Sequence, residues 1–248
     1  MSRPQNNMVF GLHAVRSVLR ADPGRVLSLR IAAARDDQLV AEILQLAQAA
    51  GIKVQRAQPR EFEQWLGEGV VHQGVLAEVR ALAATSENDL LSALTNATNP
   101  LILVLDGVQD PHNLGACLRT ANACGALAVL VPKDRSVQMN ATVRKVAAGA
   151  AEFTPVVSVT NLARTLRLLK DAGLWIVGAD AEAQQRVSEV DLKGGIALVL
   201  GAEGAGLRQL TRDTCDLLVR LPMTGQVESL NVSVAAGMLL YEARRQRV

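Results

Sequence analysis

The sequence predicts an α/β protein in two parts: a small alternating module over residues 1–80 and a mostly parallel sheet with helices on both faces over 100–248. Three observations carry that prediction. After Pro100 six short runs are apolar almost throughout: LILVLD (101–106), ALAVLVP (126–132), FTPVVSV (153–159), LWIVGAD (174–180), IALVLG (196–201) and LLVRLP (217–222). Strands buried on both faces read this way, as in parallel sheets covered by helices. Helical or glycine-rich segments separate these runs, whereas before residue 80 shorter strands and helices alternate. Between the two parts, 81–99 (ALAATSENDLLSALTNATN) is rich in Ala, Ser, Thr and Asn and reads as a linker with one short helix.

In chain order, residues 11–20 form a short amphipathic helix and 26–32 a strand. Asp36 and Asp37 open a helix reaching about Ala50, with Ile43, Leu44, Leu46 and Ala47 on its apolar side. Gly51 ends it, and 52–56 is a short strand. Pro59 suits the first turn of a helix near 59–66, and a strand at 74–80 closes the module. In the second part each apolar run is a strand. Ligands of open parallel sheets sit outside the carboxyl ends of the strands, so a site is expected first in the segments after Asp106, Pro132, Gly201 and Pro222.

Composition bounds the chemistry. The 248 residues are 49% apolar and 20% charged, a globular balance for one large domain or two smaller ones. Aromatic content is 2%, too low for a stacking platform, so any nucleic acid must be held by Arg, Lys and backbone groups. Net charge is only +2; residues 1–80 hold ten Lys/Arg against eight Asp/Glu, and the remainder sixteen of each. Local patches therefore matter more than the total. Cys117, Cys124 and Cys215 form no CxxC pair, which points to reduced structural thiols and no metal site. The segment SRPQNN after Met1 lacks the apolar core of a signal peptide, and no apolar run approaches the ~18 residues of a membrane span. A soluble, cytoplasmic protein is expected.

Three segments carry candidate chemistry. In DGVQDPHNLGACLRTANACG (106–125) a strand ends at Asp106, the loop carries Pro111, Asn113 and Gly115, and a helix follows with Arg119 in its early turns. Helix N-termini offer free N–H groups, and Arg119 adds a planar, charged donor set. Helix capping by Asn113 and solvation of Arg119 are the plain alternatives. In LVLGAEGAGL (198–207) the glycines fall as GxxGxG, unlike the GxGxxG of dinucleotide folds, with no Lys-Ser/Thr pair behind them. Gly201, Gly204 and Gly206 let backbone approach a flat ligand, with Glu203 between them; a simple tight turn is the alternative. In RLPMTGQVESLNVSVAAGMLLYEA (220–243) Ser229, Asn231 and Ser233 open an otherwise apolar helix. An unpaired buried hydroxyl or amide costs roughly 1–3 kcal/mol, and capping accounts for only part of the trio. Lys133, Arg135, Arg144 and Lys145 add a local positive patch diluted by Asp134.

Taken together, Asn113 with Arg119, GAEGAG at 201–206 and SLNVSVA at 229–235 closely resemble the motif series of the SpoU (TrmH) branch of the SPOUT methyltransferases. The likeness spans nearly all of 100–248. GLHAV (11–15) and VHQG (71–74) make the front module similar to that family's L30-like RNA-binding domain. The resemblance implies a trefoil-knotted catalytic domain, a homodimer that shares its active sites, and S-adenosylmethionine (AdoMet) bent in the knot against the backbone of Gly201, Leu221 and Leu230. The last helix fits a dimer interface independently, since Val232, Val234, Ala235, Met238, Leu239 and Leu240 leave it little polar face. The two-domain layout most resembles the ribosomal RNA guanosine 2′-O-methyltransferases, with 23S ribosomal RNA as partner. Methyl transfer needs oxygen, methyl and sulfonium in line, and help with the hydroxyl proton. Guanidinium groups are hardly ever deprotonated, so Arg119 is expected as a phosphate clamp that stabilises developing alkoxide charge. Asn113, Glu203, Ser229 and Asn231 would orient it and the ribose or shape the pocket. Three rivals are a transfer RNA 2′-O-methyltransferase, a non-catalytic RNA-binding assembly factor, and a nicotinamide oxidoreductase; the last is disfavoured by the missing GxGxxG.

Overall fold

A computed structural model describes residues 8–67, 69–80, 85–227 and 229–248. The SRPQNN segment and residues 81–84 of the expected linker lie outside the described residues. The chain divides into two compact units: Met1–Ala83 with Met139–Phe153, and Ala84–Gln138 with Thr154–Val248.

The first unit is built on β1 (Met8–Phe10), β2 (Val26–Ala32), β3 (Val54–Ala57) and β4 (Val75–Val79), ordered β1-β4-β2-β3. β4 runs antiparallel to both neighbours, and β2 and β3 are parallel. Such a parallel pair needs a crossover, and α2 (Gln38–Ala49) supplies it after α1 (Leu12–Ala21). Asp37 caps α2 by accepting the Leu39 and Val40 N–H groups at 3.1 and 3.2 Å. Ile43 and Ala47 are fully buried as the periodicity predicts, and Val40 joins them. α3 (Pro59–Leu66) starts at Pro59, with the Glu61 carboxylate accepting the Gln58 N–H at 2.7 Å. Its Phe62 and Leu66 pack with Phe10 and Leu76 in a second small core.

In the second unit α4 (Glu87–Leu94) precedes seven strands: β5 (Leu101–Asp106), β6 (Ala128–Pro132), β7 (Val156–Val159), β8 (Trp175–Ala179), β9 (Gln185–Arg186), β10 (Ile196–Gly201) and β11 (Leu217–Arg220). The order is β7-β6-β5-β10-β8-β11-β9, with every pairing among the described residues parallel. β5 and β6 are buried along their whole length. On one face Ile102, Val104, Leu130 and Val199 meet Leu90 of α4 and Leu166 of α7 (Leu162–Asp171), and α8 (Gln209–Thr214) lies between β10 and β11 in the chain. α5 (Pro111–Ala123) and α9 (Val232–Arg245) pack together, the Gly237 backbone against Thr120, and bury Leu114, Leu118, Leu239 and Leu240. A fully buried Leu contributes about 1.5–3 kcal/mol, so this double layer holds the strand ends that carry the site.

The sequence expectation lacks β1, starts β6 two residues early, and differs at three further strands. β7 begins only at Val156, because Pro155 has no N–H for a ladder and Ala150–Glu152 forms a turn. β11 stops at Arg220, freeing Leu221 and Pro222. β9 is absent from the sequence expectation, being two exposed residues on the sheet edge with no apolar pattern.

Residues 139–153, between β6 and β7, belong to the first unit. Their helix α6 (Ala141–Val146) brings Arg144 to the buried Glu152, whose other oxygen takes Arg25 at 2.6 Å; the Arg144 contact is 3.0 Å. Lys145 lies over the Phe10 ring, 5.9 Å from its centroid. Of the four residues of the expected positive patch, Arg144 is consumed in this ion network, and Lys133 and Arg135 belong to the other unit.

Candidate active site at the carboxyl edge of the parallel sheet

β5 and β10 are neighbours in register, so Asp106 and Gly201 end side by side. The loops leaving the two strands are therefore forced together. After β5, Asp110 caps α5 by accepting the His112 N–H at 2.9 Å, and Pro111 occupies the first turn. Asn113 is thus not the cap, and the capping alternative for it falls. It is 8% exposed, and its Oδ1 accepts a hydrogen bond from Asn231 Nδ2 at 3.0 Å. The same Asn231 amide donates to Glu203 Oε1 at 3.0 Å. Its Oδ1 accepts from the Ser233 N–H at 2.9 Å and the Ser233 hydroxyl at 2.6 Å. Asn231 therefore caps α9 with one end of its amide and joins Asn113 to Glu203 with the other. Ser233, to which the sequence assigns no role, braces that amide.

The glycine loop after β10 is a small closed ring. Ala202 and Gly206 exchange backbone hydrogen bonds at 3.1 and 2.9 Å. A Cβ on Gly201 would lie 1.9 Å from the Gly206 carbonyl, so only glycine fits there. Its bare Cα accommodates the loop's own backbone. Gly204 and Gly206 adopt φ of +76° and +66°, which favour glycine for conformational reasons. Below the loop the buried Asp106 carboxylate holds Arg208 through Nε at 2.6 Å and through its backbone N–H at 3.3 Å.

Beside this ring lies a cleft of about 540 Å³ between the ends of β8, β10 and β11 and the start of α9, within the usual ~300–1,000 Å³ of small-molecule sites. Gly201, Leu221, Leu230, Ser229 and Glu203 all line it, as do Asp180 and Glu182. The last two are missing from the sequence-based candidates. LWIVGAD ends at Asp180, so the rule that ligands sit at strand carboxyl ends carries the signal that points to them. Asp180 is paired with Arg212 at 3.1 Å and accepts the Glu182 N–H at 2.8 Å. Three carboxylates and no Lys, Arg or His are among the described lining residues. Ser229 is exposed at the rim.

Arg119 does not join this constellation within one chain. Six residues beyond Asn113 it lies about 120° around the helix, exposed, with no ion pair among the described residues, and it does not line the cleft. Burial pushes the thiols of Cys117 and Cys215 up to about 12, which removes them as nucleophiles. No group of three or more His, Cys, Asp or Glu suited to a metal occurs among the described residues, and no described helix is long and apolar enough to cross a membrane.

Residues 100–241 match the model of the SpoU rRNA methylase family. The chain belongs to that family. Residues 8–84 match the model described as RNA 2′-O ribose methyltransferase substrate binding. Among curated relatives, the 23S rRNA (guanosine-2′-O-)-methyltransferase RlmB of Pseudomonas aeruginosa is 55% identical over 240 residues, 96% of each chain. A crystal structure of an RNA 2′-O ribose methyltransferase is similar with a TM-score of 0.76 at 27% identity, covering 97% of this chain and 88% of that one. The SpoU methyltransferase AviRb of Streptomyces viridochromogenes, solved with the cofactor AdoMet, shares the fold with a TM-score of 0.79 at 24% identity, over 97% and 90%.

Proposed function

We propose that this protein methylates the ribose 2′-oxygen of a guanosine in 23S ribosomal RNA, with AdoMet as methyl donor, in the cytoplasm. The observation that carries the reading is the single Asn231 amide that ties Asn113 to Glu203, a residue of the cleft wall. The full-length relatives named for this reaction give the substrate.

The cleft fits the cofactor on its own terms. Its size is right, its walls at Leu221, Met223 and Leu230 are apolar, and its charged lining is wholly acidic. A ligand with a sulfonium and an ammonium suits such a lining. When bound, AdoMet supplies an electrophilic methyl group. Backbone at Gly201, Leu221 and Leu230 would hold it. Glu203, its Oε1 fixed by Asn231, keeps Oε2 to accept from a ribose hydroxyl, while the Asn113 Nδ2 protons remain to donate. Arg119 would clamp the adjacent phosphate and stabilise charge developing on the 2′-oxygen. As the 2′-oxygen takes the methyl group, its proton would pass to solvent water and the neutral thioether would depart.

Arg119 stands apart from the trio in one chain, which supports a homodimer that completes each site with the partner's Arg119. Val234, Met238 and Tyr241 repeat along one exposed side of α9, at the i, i+4, i+7 spacing of a helix contact. The family's trefoil knot belongs to this reading; the return of β10 between β5 and β8 and of α9 onto α5 supports it. The same reading includes a division of labour in which a front domain over 1–80, joined through 81–99, selects the RNA and 100–248, apart from the 139–153 segment that belongs to the first unit, performs the transfer.

Labelled AdoMet offered with unmodified 23S ribosomal RNA and transfer RNA tests the reading. Label is expected in one guanosine ribose of the 23S RNA; label confined to transfer RNA would move the protein to the tRNA enzymes of the family.

A further inference from the structure

A second cavity, of about 340 Å³, opens on the same edge of the sheet, on the β6–β7 side. Pro132, Asp134, Arg135, Asn161, Arg208 and Leu210 are among its walls, and none of its residues lines the cofactor cleft. The glycine loop stands between the two: Gly201, Glu203, Gly204 and Gly206 line the cleft, and Arg208 beyond its exit lines the cavity.

The walls are organised. Gln138 Nε2 donates to the carbonyls of Pro132, Lys133 and Ser136 at 2.9, 3.4 and 3.2 Å, while its Oε1 accepts from the Ser158 hydroxyl at 2.5 Å. One amide thus shapes the loop 133–138. Within that loop Arg135 is held at φ +57°, a conformation that costs a non-glycine residue free energy and persists where surroundings impose it, often at functional sites. Its guanidinium is exposed and has no ion pair among the described residues. Ser136 Oγ, in the same loop, is buried without a hydrogen-bond partner among the described residues, which calls for a reason. Opposite, Arg208 is pinned along its Nε edge by the wholly buried Asp106 carboxylate, while 44% of its side chain stays exposed. Anchoring one edge of a guanidinium on a buried acid pre-orients the other edge for a ligand.

We propose that this cavity binds a nucleotide of the substrate RNA that flanks the methylated one. Arg135 and Arg208 take its phosphodiester, and its base lies over the apolar wall of Pro132, Leu162 and Leu210. Asp134 and Asn161 at the rim offer an acceptor and an amide to a base edge. The acid at the rim suits the single charge of a phosphodiester better than a free phosphate dianion. The proposal rests on the RNA-methylation reading above and adds where the strand runs.

The test is the binding of in vitro transcribed 23S ribosomal RNA, in the presence of sinefungin, across a series of salt concentrations. Arg135→Gly removes the guanidinium and relieves the positive φ, so folding is no obstacle; Arg135→Lys keeps the charge. Arg135→Gly is expected to weaken RNA binding at least about fivefold and to lower the log–log salt slope by about 0.9, the value for one phosphate contact on a duplex, or about 0.7 on a single strand. Arg135→Lys should keep the slope, and calorimetric AdoMet affinity should match wild type in both variants. Wild-type RNA affinity and slope in Arg135→Gly would overturn the proposal, as would an equal loss of AdoMet binding. Wild-type protein that binds AdoMet but not the transcript would sink the reading on which the proposal rests.

Discussion

At the scale of single residues, Asn231 carries two jobs through one amide, and the two separate by mutation. Asn231→Ala removes a helix cap, worth about 1 kcal/mol, together with the donor shared by Asn113 and Glu203. Asn231→Asp keeps the cap oxygen but sets a carboxylate against Glu203. The aspartate variant is expected to melt close to wild type yet lose turnover about a hundredfold, in line with loss of a positioned donor; the alanine variant loses both. Equal turnover in the aspartate variant would reduce Asn231 to a cap. Glu182 is exposed on the wall of the cleft, and its carboxylate has no ion pair among the described residues. It is expected to favour a cationic ligand. Glu182→Gln should weaken AdoMet about threefold, the scale of an exposed charge pair, and spare the uncharged thioether product; calorimetry with both ligands decides it.

At the scale of elements, α9 is the piece on which most depends. Its exposed Val234, Met238 and Tyr241 stripe and the remote Arg119 on α5 make a distinctive prediction about subunit mixing. Arg119→Lys and Asn231→Asp should each be nearly inactive alone. If the partner's Arg119 completes each site, unfolding and co-refolding an equal mixture restores about a quarter of wild-type activity, one intact site in each mixed dimer. A mixture as dead as its parents would place both groups in one chain's site. The far end of α9 also carries a pH signature. Hydrogen bonds from Arg245 and Gln246 hold the Glu242 carboxyl down to about 2, against an ordinary value of 4.5. A depressed folded-state value stabilises the fold above pH ~4.5 and loses that contribution as pH falls towards ~2. Glu242→Gln should therefore lower the melting temperature slightly at neutral pH, leave it unchanged near pH ~2, and so flatten the drop over that acid window. Solvent exposure keeps the effect small.

At the scale of the whole molecule, the strands that were legible in the sequence are those whose neighbours bury them on both faces. LILVLD and IALVLG have the boundaries read from them, because nothing but an apolar strand can sit there. Gln185–Arg186 was illegible, since an exposed edge pair carries no pattern. The membership of 139–153 in the first unit was illegible for another reason: the Glu152 pairing with Arg25 spans 127 positions, and no local periodicity encodes it. The site divides in the same way. Motif spacing brought out Asn113, Glu203 and Asn231, which the structure joins, and the family resemblance pointed to Gly201, Leu221 and Leu230 on the cleft wall, but neither gave Asp180 or Glu182. It could not show that Asp110, not Asn113, caps α5, nor that Arg119 lies outside the lining of the cleft, because both depend on where the helix starts and on its phase.

The most direct measurement is mass-spectrometric mapping of an unmodified 23S ribosomal RNA transcript after incubation with AdoMet and either wild-type or Arg119→Lys protein. The account predicts a single 2′-O-methylguanosine with wild type and almost none with Arg119→Lys, although the variant binds AdoMet as tightly. A methyl group on a base, or the same ribose methylated at the wild-type rate by Arg119→Lys, would contradict it.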